Sequence, residues 1–177
     1  MLIKLYGEYW NPDAVEWGTR GAGNNGQLLG LLDGHGKKAL DFWDSRGVYA
    51  LHDDFRVVYI GQALDQPLGK RIRDHLTDRL AGRWDMFSWY SLSTFREKNV
   101  RKPGQRQTTP ADVIDTLEAL GIGLTLPPLN RRYNKIPGAR RVEQAKSPHP
   151  HTERHYLEEI LKRLPELVTK ANGKSKK

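Results

Sequence analysis

The run GVYALHDDFRVVYIG, from Gly47 to Gly61, constrains the fold more than any other part of the sequence. GVYALH and RVVYIG are rich in β-branched and aromatic residues, and the acidic DDF between them supplies turn chemistry. The spacing predicts a β-hairpin over 47–61. It sets two phenols, Tyr49 and Tyr59, at matched positions on the two strands of one hairpin.

The flanking segments predict what the hairpin packs against. LIKLYG reads as a short strand followed by a Trp-rich turn, with Trp10 and Trp17 as packing anchors. Residues 18–38 read as a glycine-rich loop holding a short apolar helix or turn in QLLGLLDGHGKK. In 65–82 the residues Leu68, Ile72, Leu76 and Leu80 recur every four positions, which predicts one apolar helical stripe, with Gly82 as its stop. MFSWYSL, 86–92, alternates aromatic and small residues and reads as a third strand, and 93–108 as a charged loop. Thr109-Pro110 predicts a helix start, a hydroxyl cap followed by proline in the first turn. Val113, Ile114, Leu117 and Leu120 are expected to form the buried face of that helix, which Pro127-Pro128 ends. A final amphipathic helix is expected over 152–168, with Tyr156, Leu157, Ile160, Leu161 and Leu164 apolar, before a basic tail. The fold class is therefore α/β: a small, mainly antiparallel central sheet flanked by helices, with N- and C-terminal elaborations.

Several side chains fall where chemistry needs them. Arg71 and His75 stand at i and i+4, so a helix puts them on one face. Glu118 comes one turn after Ile114, at the edge of the expected buried face, whereas Asp112 and Asp115 point toward solvent on the same wheel. Asn130 closes the PPLN run.

Composition narrows the partners. The 177 residues carry a net charge of +8 and a pI of about 9.7, which favours an anionic partner, nucleic acid before an acidic membrane surface. Arg131, Arg132, Lys135, Arg140 and Arg141 follow the Glu118 helix and could line a nucleic-acid path. With no cysteine, disulfides and thiolate metal sites are excluded, which fits a cytoplasmic protein. No apolar run approaches the roughly 20 residues of a membrane span, and the N-terminus turns acidic too early for a signal peptide.

Two patterns do not qualify as sites. GAGNNG, Gly21 to Gly26, matches the dinucleotide fingerprint G-x-G-x-x-G but lacks the buried strand that must precede it. His149, His151 and His155 lie close together; the i,i+4 spacing of His151 and His155 could bind zinc, but it is not H-E-x-x-H, and an exposed helix start is the preferred reading. His35 and His52 have no role legible in the sequence.

The ordered set resembles the GIY-YIG nuclease superfamily. Gly47-Val48-Tyr49 matches its first motif with Val for the usual Ile, and Tyr59-Ile60-Gly61 matches its second. The helix arginine falls on Arg71, its partner histidine on His75, the metal-binding glutamate on Glu118 and the late asparagine on Asn130. The resemblance covers about half of the chain and implies a catalytic core over 47–135, between an N-terminal elaboration, 1–46, and a C-terminal one, 136–177. It implies an endonuclease hydrolysing DNA phosphodiester bonds to 3′-hydroxyl and 5′-phosphate ends with Mg²⁺ or Mn²⁺ held at Glu118. Tyr49 would then orient or deprotonate water with support from Tyr59 and His75, Arg71 would grip phosphate, and Asn130 would brace the site. RNA is not excluded as substrate, no membrane partner is expected, and double-strand cleavage would need a dimer or two sequential nicks. The alternative is a catalytically inactive nucleic-acid-binding module on the same scaffold.

Overall fold

The computed structural model describes residues 1–18, 25–34, 38–96, 99–101, 108–126, 136–148 and 161. In chain order the strands are β1 (Leu5–Trp10), β2 (Glu16–Gly18), β3 (Asn25–Gln27), β4 (Leu29–Leu32), β5 (Leu40–Asp41), β6 (Gly47–Asp53), β7 (Arg56–Ala63), β8 (Met86–Ser91), β9 (Thr94–Arg96), β10 (Asn99–Arg101) and β11 (Arg140–Gln144). Helix α1 (Leu68–Asp74) follows β7, and helix α2 (Pro110–Thr125) precedes β11.

Seven of the strands form one mixed sheet in the order β5-β4-β11-β1-β8-β6-β7, so the architecture is α/β with helices against the sheet. β1 and β11 run parallel, and the other pairs are antiparallel. This sheet is larger than the small one expected, because segments from both flanks of the hairpin join it. The hairpin itself matches the sequence reading. β6 and β7 pair from Gly47↔Ala63 to Asp53↔Arg56. Asp54 and Phe55, at φ 48° and 64°, make the two-residue turn whose twist suits a hairpin.

Other segments depart from expectation. QLLGLL is strand rather than helix or turn: it ends β3 and supplies β4, which pairs with β11. A short apolar run has no period that separates strand from helix, and pairing decides. The segment expected as a loop after β8 forms the β9–β10 pair. The helix expected over 65–82 ends at Asp74 and continues as turns, leaving Leu76 exposed and Leu80 half-buried. Gly82 still takes the left-handed conformation, φ 69°, of a chain reversal.

The main core lies on one face of the sheet, where Trp10, Trp17, Trp43, Trp89, Phe87 and Tyr49 pack with Leu68 and Ile72 of α1. Trp10 and Trp17 are the buried anchors the sequence suggested. A smaller cluster of Ile3, Tyr6, Tyr90 and Ile136 lies under α2, packed by Ala119, Leu120 and Leu124. Helix α2 starts as predicted, with a capping box between Thr109 and Asp112. Of its expected buried face only Leu120 packs inward. Asp112 and Thr116 are buried, whereas Val113, Ile114 and Leu117 are exposed. Asp112 turns inward to pair with the N-terminal ammonium, and the Thr116 hydroxyl accepts from the Leu2 amide at 3.0 Å. Thr116 and Ala119 thus face the sheet together with Leu120 and Leu124, while Val113, Ile114 and Leu117 point outward. Among the described residues no helix is long and apolar enough to cross a membrane.

Candidate active site

The two tyrosines share one face of the hairpin. Tyr49 stands opposite Gly61, and Tyr59 opposite Leu51, one diagonal step away. Their ring centroids are 6.2 Å apart. The glycine is needed there: a Cβ on Gly61 would collide with the Tyr49 ring and hydroxyl. Gly47 has a parallel reason, since its Cβ would collide with the Tyr90 carbonyl on β8.

Helix α1 brings His75 to this pair. The Leu68 and Gly69 amides donate to the Ser45 and Trp43 carbonyls, which pins the start of the helix. His75 caps its end, and the Trp84 indole donates to the His75 carbonyl at 3.4 Å. The His75 Nε2 then lies 2.7 Å from the Tyr49 hydroxyl oxygen. The Tyr59 ring meets the imidazole edge-on at 5.0 Å. On the far side of the ring, Nδ1 lies 2.7 Å from Asp78 Oδ2. Asp78 is a site residue the sequence reading missed. The pair H-x-x-D meets across a turn that follows α1, which the helical spacing of Arg71 and His75 did not reveal.

Tyr49 has no exposed surface and His75 is only 4% exposed, while Tyr59 and Arg71 are half-buried. The pair is internal, and Tyr59 and Arg71 form its rim. Burial pushes the Tyr49 hydroxyl up to about 12, against the lowering effect of the nearby Arg71 guanidinium. Burial also acts to raise Asp78. The Leu80 amide, the His75 hydrogen bond and the charges of His75 and Arg79 outweigh it and hold that carboxyl below its ordinary value.

Glu118 does not join this group. Tyr90 pairs with Val48, and Trp89 with Tyr49, across β6 and β8. Tyr90 points at α2, because a Cβ on Gly123 would press on its hydroxyl. Adjacent strand residues point to opposite faces, so Tyr49 points away from α2. The orientation expected on α2 is reversed: Asp112 is the inward acid, and Glu118 is exposed. With Asp115, Tyr6 and Glu8, Glu118 lines a cavity of about 270 Å³ across the sheet from Tyr49. Among the described residues no three acidic or histidine side chains are grouped to hold a metal ion. A Mg²⁺ or Mn²⁺ bound at Glu118 therefore does not fit a centre at Tyr49 in this arrangement.

The remaining sequence candidates fall elsewhere. Arg140 and Arg141 lie on β11, three strand spacings or about 14 Å from β6. Arg140 donates to the Asp33 carbonyl, and Arg141 shares the face of Tyr6 rather than that of Tyr49. Asn130, Arg131, Arg132 and Lys135 lie outside the described residues, as do His149, His151, His155 and the segment Gly21 to Asn24. His52, without a role in the sequence, is fully buried and lies 2.9 Å from the Ser88 hydroxyl. No protein-family model, no curated protein and no solved structure matches the chain.

Proposed function

We propose that this chain is an endonuclease of the GIY-YIG type that hydrolyses DNA phosphodiester bonds at Tyr49. The observation that carries the reading is the 2.7 Å contact between the Tyr49 hydroxyl and His75 Nε2, rimmed by Tyr59 and Arg71. It is a phenol with a base in hydrogen-bond reach and a guanidinium beside it, which is the minimum set for activating water next to a phosphate.

The chemistry follows from these groups. The planar Arg71 guanidinium offers a bidentate grip on phosphate oxygens and charge for the pentavalent transition state. With its hydroxyl pushed up to about 12, Tyr49 is a phenol and not a phenolate at neutral pH. It therefore works as a relay. As Tyr49 passes its proton to His75 Nε2, its oxygen takes a proton from the attacking water, and the hydroxide forms as the P–O bond is made. The leaving 3′ oxygen departs from the opposite side of phosphorus and takes a proton from solvent, giving the 3′-hydroxyl, while His75 returns its proton to solvent. Comparing Mg²⁺ with EDTA tests whether cleavage depends on a divalent cation.

A second reading has an observation of its own. Tyr49 is wholly buried and Glu118 lies across the sheet, as would suit a scaffold that binds nucleic acid without cutting it. Incubating supercoiled, linear and single-stranded DNA with wild type, His75→Ala and Glu118→Ala, in Mg²⁺ or EDTA, separates the two. The nuclease reading expects nicking by wild type, lowered about 10²–10⁴-fold in His75→Ala. DNA binding with no cutting of any substrate favours the binding module. Loss of cutting in Glu118→Ala alone, with His75→Ala active, moves the centre to the opposite face.

A further inference from the structure

We infer that Asp78 is a positioning residue: its carboxylate fixes His75 in the Nδ1–H tautomer and so turns the Nε2 lone pair onto the Tyr49 hydroxyl. The geometry leaves little choice. Asp78 uses both oxygens, Oδ1 accepting from the Leu80 amide at 2.7 Å and Oδ2 lying 2.7 Å from His75 Nδ1. The Ala81 amide closes the same turn onto the Asp78 carbonyl at 3.0 Å, so the carboxylate plane is fixed by local backbone. An ionised carboxylate only accepts hydrogen bonds, so Nδ1 must donate. In the opposite tautomer two lone pairs would face each other at 2.7 Å. In the neutral ring the proton on Nδ1 leaves Nε2 as acceptor, and the Tyr49 O–H must be the donor at that contact.

The consequence reaches the rim. With its proton committed to His75, the Tyr49 oxygen keeps its lone pairs for the side where Tyr59 and Arg71 stand. That is the side from which a water or a phosphate must approach. Asp78 touches neither, and its side chain is 40% exposed against 5% for His75. It acts through the imidazole, as the aspartate of a Ser-His-Asp triad acts through its histidine. The kinetic part of this inference rests on the proposed nuclease activity, and the tautomer part does not.

The test uses the full chain labelled with ¹⁵N-histidine, His75 being assigned by its loss in His75→Gln, and reads long-range ¹H–¹⁵N correlations at pH 8.5. The expected spectrum shows a protonated Nδ1 and an unprotonated Nε2, and Asp78→Asn moves the ring toward the mixture of free imidazole. With active wild type, Asp78→Asn lowers kcat at least tenfold and leaves KM within twofold, with an unchanged circular dichroism spectrum. An Nε2–H, doubly protonated or freely averaging ring in wild type overturns the inference, and so does an unshifted tautomer in Asp78→Asn. If wild type cuts nothing, the nuclease reading fails while the spectra still decide the role of Asp78.

Discussion

Gly61 and Tyr49 explain each other. They stand opposite in the β6–β7 register, and the phenol lies over the position a Cβ would take. A methyl group there must push the ring off His75 or part the strands. Gly61→Ala is expected to destabilise the protein by about 1–3 kcal/mol, the usual cost of overpacking a tight core. It should also remove the His75 tautomer signature, because the 2.7 Å contact has no slack. Chemical denaturation and the histidine spectra check the two effects. A fully stable Gly61→Ala protein with an unmoved His75 ring would show that the tyrosine is not held by the glycine. Much of this was legible in the sequence. The tripeptides GVY and YIG mark places where side-chain size is dictated by a facing strand. Asp78 was less legible, since its meaning depends on a turn that follows the helix and not on the helical wheel.

At the scale of elements, caps were readable and faces were not. Thr109-Pro110 announced the start of α2, and the Thr109 hydroxyl accepts from the Asp112 amide at 3.1 Å. Thr109→Ala is expected to cost about 1 kcal/mol. Part of that loss should appear as looser docking of residues 1–2, because Asp112 also binds the N-terminal ammonium. Hydrogen exchange at Leu2 and Asp112, compared with the global unfolding midpoint, separates the local from the global share. Protection unchanged at both sites would count against the coupling. The rotation of α2 escaped prediction for a physical reason. Hydrophobic periodicity assumes that the larger apolar residues face the sheet. Here Tyr6 and Tyr90 already fill much of that space, and the helix approaches through Thr116, Ala119 and Gly123, with Leu120 and Leu124 as its larger inward residues. Strand β4 was missed because its partner β11 lies more than a hundred residues later, beyond any local pattern.

Across the whole molecule, the excess of positive charge has to be divided between groups already engaged and groups free to meet a phosphate backbone. Arg73 is engaged: it donates to the Trp17 carbonyl at 3.3 Å and lies 5.6 Å over the Trp43 ring. Arg140 is held by the Asp33 carbonyl, and Arg141 faces away from Tyr49. Lys70 and Arg71 on α1, with exposed Arg79 and Arg83 just beyond it, are on or next to the element that carries His75. Arg71 acts on Tyr49 itself and the Arg79 charge on Asp78, so this stretch, close to His75 in the chain, is a better candidate than β11 to hold nucleic acid at the site. Each phosphate neutralised releases condensed counterions, so the logarithm of the binding constant falls with that of salt by about 0.9 per contact on duplex DNA. The double variant Arg79→Gln, Arg83→Gln should bind duplex DNA more weakly and show a salt slope shallower by about one to two. Arg140→Gln with Arg141→Gln should leave both quantities near wild type. Fluorescence anisotropy across a salt series measures them together. If the β11 pair flattens the slope and the Arg79–Arg83 pair does not, nucleic acid binds on the α2 face. The cavity at Glu118, rather than Tyr49, would then lie in its path.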